Sequence, residues 1–172
     1  MRGPPACRPI PSSVFTASVV GAAITRARLR RVSRPEPSRQ RFVTLVRVRY
    51  ADTDASGTAH HATYLAYFET ARVEALRSLG VPIAELAARG VAMPVFEARL
   101  SFLRPALLDD LLEVTVLLDR VGPASFSFDY EVTRDGELLA TGWTRMAVIE
   151  TGTGCALRLP EWVRELLDRI AG

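Results

Sequence analysis

One long helical pattern, set between a single strand pattern and a run of four more, limits this chain more than any other feature. From about residue 61 to 79, apolar residues recur at 64/65, 68, 71/72, 75/76 and 79, and only Arg72 breaks the stripe. That spacing predicts a helix with one buried face. Gly80 followed by Pro82 stops it. Ahead of it, residues 43–50 alternate, with Val46, Val48 and Tyr50 on one face and Arg47 and Arg49 on the other. This is the pattern of a half-buried strand. After it, residues 82–89 add a short helical turn closed by Gly90. Four strand patterns follow, over residues 92–103, 111–121, 125–134 and 137–149. Asp135-Gly136 between the last two is a two-residue hairpin signal. Pro160 then opens an amphipathic helix over residues 161–170, with Trp162, Leu166, Leu167 and Ile170 on one side. Four strands joined by short loops form a mostly antiparallel sheet. One long helix must cover one face of it, which predicts an α+β domain.

The 172 residues suffice for one ordinary domain with a real core. No run of 18 apolar residues is present, so no transmembrane helix is expected. Cys7 and Cys155 lie far apart and outside any spacing motif. That argues against a disulfide scaffold or a zinc knuckle and fits a reducing compartment, so a cytoplasmic protein is expected.

The charge is divided along the chain. All 22 basic residues are Arg. Residues 1–41 hold nine Arg and one acid, Glu36, for 9 − 1 = +8. The remainder holds 13 Arg and 18 acids, for 13 − 18 = −5. Residues 42–172 are therefore mildly acidic and lack a basic, aromatic-interleaved patch, so no nucleic-acid partner is expected. Residues 1–41, rich in Pro and Arg, read as a disordered extension or as the product of a start assigned too far upstream. The run 14–24 also has the character of a signal-peptide apolar region, and the Arg-rich, acid-poor balance that of a transit segment.

The chemistry concentrates between the first strand and the long helix, in Asp52-Thr53-Asp54-Ala55-Ser56-Gly57 and the following His60-His61. The loop begins like an EF-hand, but its twelfth position is Thr63 where a bidentate Glu is needed, and a strand precedes it. No His-x₃-His or Cys pair supports zinc. A phosphate cradle fails for want of Gly and Lys. A Ser elbow fails because Gly-x-Ser-x-Gly is absent. What remains is a carboxylate, Asp54, just before a helix whose first turn contains His60 and His61. Free N–H groups at a helix start can hold a carbonyl oxygen that turns negative under attack. A nearby carboxylate can attack that carbonyl or deprotonate a water that does. From spacing alone, Asp54 serves equally well as a helix N-cap or a loop acid, with the His pair as surface polar residues.

The pattern Tyr50-x-Asp52-Thr53-Asp54-x-x-Gly57-x-x-x-His61-x-x-Tyr64-x-x-x-Phe68-Glu69-x-Ala71-Arg72 resembles the signature of hot-dog-fold acyl-CoA thioesterases. It is most similar to the YbgC/FadM-like group, with 4-hydroxybenzoyl-CoA thioesterase a more distant likeness. Leu103-Arg104-Pro105-Ala106-x-x-x-Asp110-x-Leu112 resembles a second segment of the same family. The resemblance spans about residues 43–150. It implies a hot-dog fold, a long central helix wrapped by a five-stranded antiparallel sheet, here with an added C-terminal helix. It implies Asp54 as the catalytic carboxylate and His61 as the donor at the thioester carbonyl. It also implies a homodimer or pair of dimers with active sites between subunits, and acyl-CoA as substrate with no bound cofactor or metal.

Other residues carry weaker expectations. Gly57 and His60 line the pocket. Tyr64, Met93 and Phe96 are candidates for the acyl site, with core packing as the competing reading. Asp52 and Glu69 support the site from behind, Glu69 by orienting His61. Glu69 and Arg72, three apart, are expected to pair along the helix. A hot-dog hydratase acting on enoyl or hydroxyacyl thioesters, and a non-catalytic acyl-thioester-binding module, are the alternative readings.

Overall fold

The computed structural model describes residues 40–171. The expected N-terminal extension or leader and Cys7 lie outside them, apart from the last residues before the domain. The elements are β1 (Phe42–Arg47), a 3-10 turn (Tyr50–Asp52), α1 (Thr63–Ser78), α2 (Ile83–Ala88), β2 (Val91–Ala92), β3 (Val95–Phe102), β4 (Leu111–Val121), β5 (Ser125–Arg134), β6 (Glu137–Ala147), β7 (Ile149–Glu150) and α3 (Glu161–Ala171). Five strands form one sheet in the order β1-β4-β5-β6-β3, antiparallel throughout. The pair β2-β7 forms a small separate ribbon.

Strand alternation decides which face is covered. Leu112, Val114, Val116 and Leu118 of β4 and Phe126, Phe128, Tyr130 and Val132 of β5 are buried on one side. Removing such a side chain from water contributes about 1.5–3 kcal/mol. Helix α1 supplies the opposing stripe with Tyr64, Phe68, Ala71 and Ala75. The Phe68 ring stacks on Tyr130 at 4.3 Å, with planes 13° apart. A Cβ on Gly142 would lie 2.2 Å from Phe68, so the helix reaches the sheet at this depth only because β6 has no side chain there. Helix α3 adds Val163, Leu166, Leu167 and Ile170 to the core and packs against β4, so two helices rather than one cover the sheet.

The predicted strands 111–121 and 125–134 coincide with β4 and β5. Other boundaries differ, including the strand expected over 137–149, which ends at Ala147, with Ile149–Glu150 forming β7 of the small ribbon. The first strand ends at Arg47, because Val48 is tied instead to the turn before β4, by Val48 N–H to Asp110 O at 2.9 Å and Asp109 N–H to Val48 O at 3.0 Å. Tyr50 enters the 3-10 turn and is 82% exposed, not on the buried face. The strand expected over 92–103 divides around Pro94, which has no N–H to give a ladder. The long helix starts at Thr63, so His60 and His61 precede its first turn rather than forming it.

Candidate active site

The loop between the 3-10 turn and α1 is closed by its own backbone. Asp54 N–H donates to Thr58 O at 3.0 Å and Gly57 N–H to Asp54 O at 2.9 Å. Gly57 sits at φ +75°, a left-handed conformation that a glycine adopts without strain. Within this turn the Asp54 carboxylate accepts the Ser56 N–H at 2.8 Å and the Ser56 hydroxyl, both on Oδ1. Ser56 Oγ in turn lies 2.8 Å from Thr58 Oγ1. Oδ2 has no hydrogen-bond partner among the described residues. The Ser56 hydroxyl, then the Ser56 N–H, hold Asp54 below the usual carboxylate range, and the nearby imidazoles of His60 and His61 add to this. The result is an exposed, ionised carboxylate with one oxygen tethered and one open.

Asp52 faces the other way and is 3% exposed. It accepts from the Arg49 N–H at 3.0 Å, from Arg49 Nε at 3.1 Å and Nη2 at 2.7 Å, and from the Tyr67 hydroxyl at 3.2 Å. The Arg49 side chain is the chief reason that its carboxyl is held below the usual range. Its own burial, and then the same carboxylate, raise the Tyr67 phenol. The Asp52 carbonyl then accepts the His60 N–H at 2.8 Å. Asp52 thus fastens the loop to α1 from beneath. Tyr67 does not feature in the sequence reading. It lies beside the stripe that the spacing marks and is buried like a core aromatic, and its hydroxyl partner lies 15 residues away.

The second sequence segment is the brace for the first. Ala59 N–H donates to Ala106 O at 2.8 Å, and Thr58 bridges to Leu107. Asp110 accepts Leu107 N–H at 2.7 Å and pairs with Arg134 at 2.6 Å, which fixes that turn. Ahead of α1, His60 O accepts the Thr63 N–H at 2.9 Å and His60 Nδ1 takes the Ala62 N–H at 3.2 Å. The two imidazole rings lie 4.0 Å apart. The His61 N–H has no acceptor among the described residues.

The remaining predicted residues do not join this loop. Tyr64 is 2% exposed and packs edge-on against Phe102 at 5.1 Å. Phe96 lies at an irregularity between β3 and β6, with the Arg145 guanidinium 5.4 Å over its ring. Met93 and Glu69 instead line an apolar cavity of about 310 Å³ beneath α3. The expected Glu69–Arg72 pair is absent. Arg72 lines the same cavity and donates to the Tyr130 hydroxyl at 3.0 Å, because its position on the stripe turns it toward the sheet. Among the described residues no cluster of His, Cys, Asp and Glu is placed to hold a metal ion, and no helix is long and apolar enough to cross a membrane.

The fold, a long helix packed on a five-stranded antiparallel sheet, has counterparts in known proteins. Residues 48–167 match the family model of the thioesterase-like superfamily. The acyl-CoA thioesterase YbgC of Haemophilus influenzae is 33% identical over 120 residues, 69% of this chain and 88% of that protein. A crystal structure of a hypothetical protein from Thermus thermophilus superposes with a TM-score of 0.71 at 39% identity, covering 74% of this chain and 98% of that one. A DHNA-CoA thioesterase from Staphylococcus aureus superposes with a TM-score of 0.71 at 26% identity, covering 76% and 90%. The chain belongs to the thioesterase-like superfamily, as a thioester hydrolase built on the hot-dog fold.

Proposed function

We propose that this protein hydrolyses acyl-CoA thioesters to a free acid and CoA, with Asp54 as nucleophile or general base and the N–H of His61 polarising the thioester carbonyl. The observation that carries the reading is the pairing of an exposed Asp54 carboxylate, its Oδ2 open, with a His61 N–H that has no acceptor among the described residues. As nucleophile, Oδ2 attacks the carbonyl carbon, the C–S bond breaks, and CoA leaves as thiolate. Water then opens the resulting anhydride and restores the carboxylate. As general base, Asp54 takes a proton from the attacking water and returns it to the departing sulfur. In either route the carbonyl oxygen becomes negative, and a fixed N–H donor stabilises it. The backbone donor survives replacement of the imidazole.

Release of free thiol from short, long, branched and aromatic acyl-CoAs, with wild type and Asp54→Asn in parallel, tests this. Turnover that disappears in the variant supports the assignment, and near-normal turnover in the variant rejects it. In ¹⁸O water, label recovered in the Asp54 peptide after a single turnover identifies the anhydride route.

The proposed enzyme is a cytoplasmic homo-oligomer with active sites between subunits. Its support is the open edge at β3, where Val95 and Phe102 are 37% and 50% exposed at the end of the sheet order. Unpaired strand edges readily take another strand. Sedimentation at micromolar concentration checks it, and a monomer there rejects it.

A further inference from the structure

The cavity under α3 is separate from the Asp54 loop: neither Asp54 nor His60 nor His61 lines it. Its walls come from α1, α2, β2, β5, β6 and α3. Phe126, Phe128 and Met146 rise from the sheet, and Leu166 and Leu167 face them from α3. Only two of its lining residues are charged, Glu69 and Arg72. At about 310 Å³ it stands at the small end of the ligand-pocket range of roughly 300–1,000 Å³.

Arg72 is the anomaly. Its side chain is anchored inward by the Tyr130 hydroxyl at 3.0 Å, and that hydroxyl lies 2.9 Å from Thr144 Oγ1. Tyr130 and Thr144 are each 1% exposed, so the anchor is fixed in the core. Arg72 itself is half-buried, and no carboxylate pairs with it among the described residues. Glu69, one turn away on the same rim, forms no ion pair either. A guanidinium drawn out of water with only neutral partners is costly to keep. A carboxylate would offset that cost through charge-assisted, planar hydrogen bonds.

We infer that this cavity binds a carboxylate at the end of an apolar chain, with the carboxylate on Arg72 and the chain among Met93, Phe126, Met146, Leu166 and Leu167. Met side chains adapt readily to such a chain. The same chemistry has two sources: a free carboxylic acid, as hydrolysis releases, or the far end of an ω-carboxyacyl thioester. The second source rests on the thioesterase reading above, whereas binding of the free acid does not.

Titration calorimetry of the full chain with octanoate, decanoate and decanol tests the site. Wild type is expected to bind decanoate saturably. Arg72→Gln should weaken decanoate by about tenfold or more and leave decanol unchanged, and Arg72→Lys should restore much of the loss. Ala87→Phe, at the cavity wall, should weaken decanoate more than octanoate. Circular dichroism confirms that each variant is folded. For the sources, hydrolysis of decanedioyl-CoA is compared with that of decanoyl-CoA. A loss confined to decanedioyl-CoA in Arg72→Gln supports the acyl terminus as ligand. Unchanged hydrolysis of both thioesters, with decanoate binding lost in that variant, supports the free acid. Equal decanoate affinity in wild type and folded Arg72→Gln overturns the inference. A sedimentation shift in Arg72→Gln without a change in decanoate affinity also overturns it, because Arg72 then answers to a carboxylate of a second copy.

Discussion

Asp52 and Asp54 stand two residues apart and meet opposite surroundings. Asp52 is buried, with three donors from Arg49 and one from Tyr67 dividing its two oxygens. Asp54 is exposed, with both Ser56 donors on a single oxygen. Both carboxyls are held below the usual range, yet for different ends. A buried charge with donors on both oxygens is fixed in place and contributes to the fold. A charge with one oxygen open can still act on a substrate. A lowered carboxyl is therefore no mark of a catalytic group by itself. What separates the pair is where the hydrogen bonds end.

The strongest way to break this comparison is Asp54→Asn. It should lower turnover by at least about a hundredfold, the scale of a lost acid–base or nucleophilic group, with little change in melting temperature. Thiol release and a thermal melt measure both. A variant that melts early and keeps its rate would reverse the roles given to the two acids.

Asp52→Asn should do the opposite. Removing the charge and replacing one of the two acceptor oxygens with a donor NH₂ should cost about 1–3 kcal/mol of stability, read by denaturant unfolding at neutral pH. The sign with pH follows from the lowered carboxyl. Its stabilisation is fully present above the unfolded value near 3.8 and is lost as pH falls through the lower folded value. The gap between wild type and variant should therefore narrow in that acidic window. A gap that widens there would contradict the ion pair.

Ser56→Ala sharpens the contrast at Asp54 alone. Removing the leading hydrogen bond lets the carboxyl rise toward its ordinary value. The acidic limb of the pH–rate profile should move to higher pH, with the melt unchanged. His61→Ala is the mildest change. A fall in rate of about tenfold or less is expected, since the backbone N–H remains. A loss as large as that of Asp54→Asn would show that the imidazole itself reacts.

Sequence patterning determined much of the frame. The 3.6-residue stripe located α1 to within two residues of its start, and alternation with the Asp135-Gly136 turn fixed β4, β5 and the hairpin to β6. These are local periodicities, and burial on one face enforces them. The sequence left Asp54 as a helix N-cap or a loop acid, and the structure places it in the loop, where its side chain accepts the Ser56 N–H two residues on. Only the tertiary structure decided the rest. It drew Tyr67 under Asp52, set the Ala106 segment against the loop, and turned Arg72 away from Glu69 to Tyr130. It also closed a cavity from six elements, none of which reads as a binding segment alone. Such contacts join residues far apart in the chain, and their partners are chosen by packing depth and hydrogen-bond satisfaction after the elements have met.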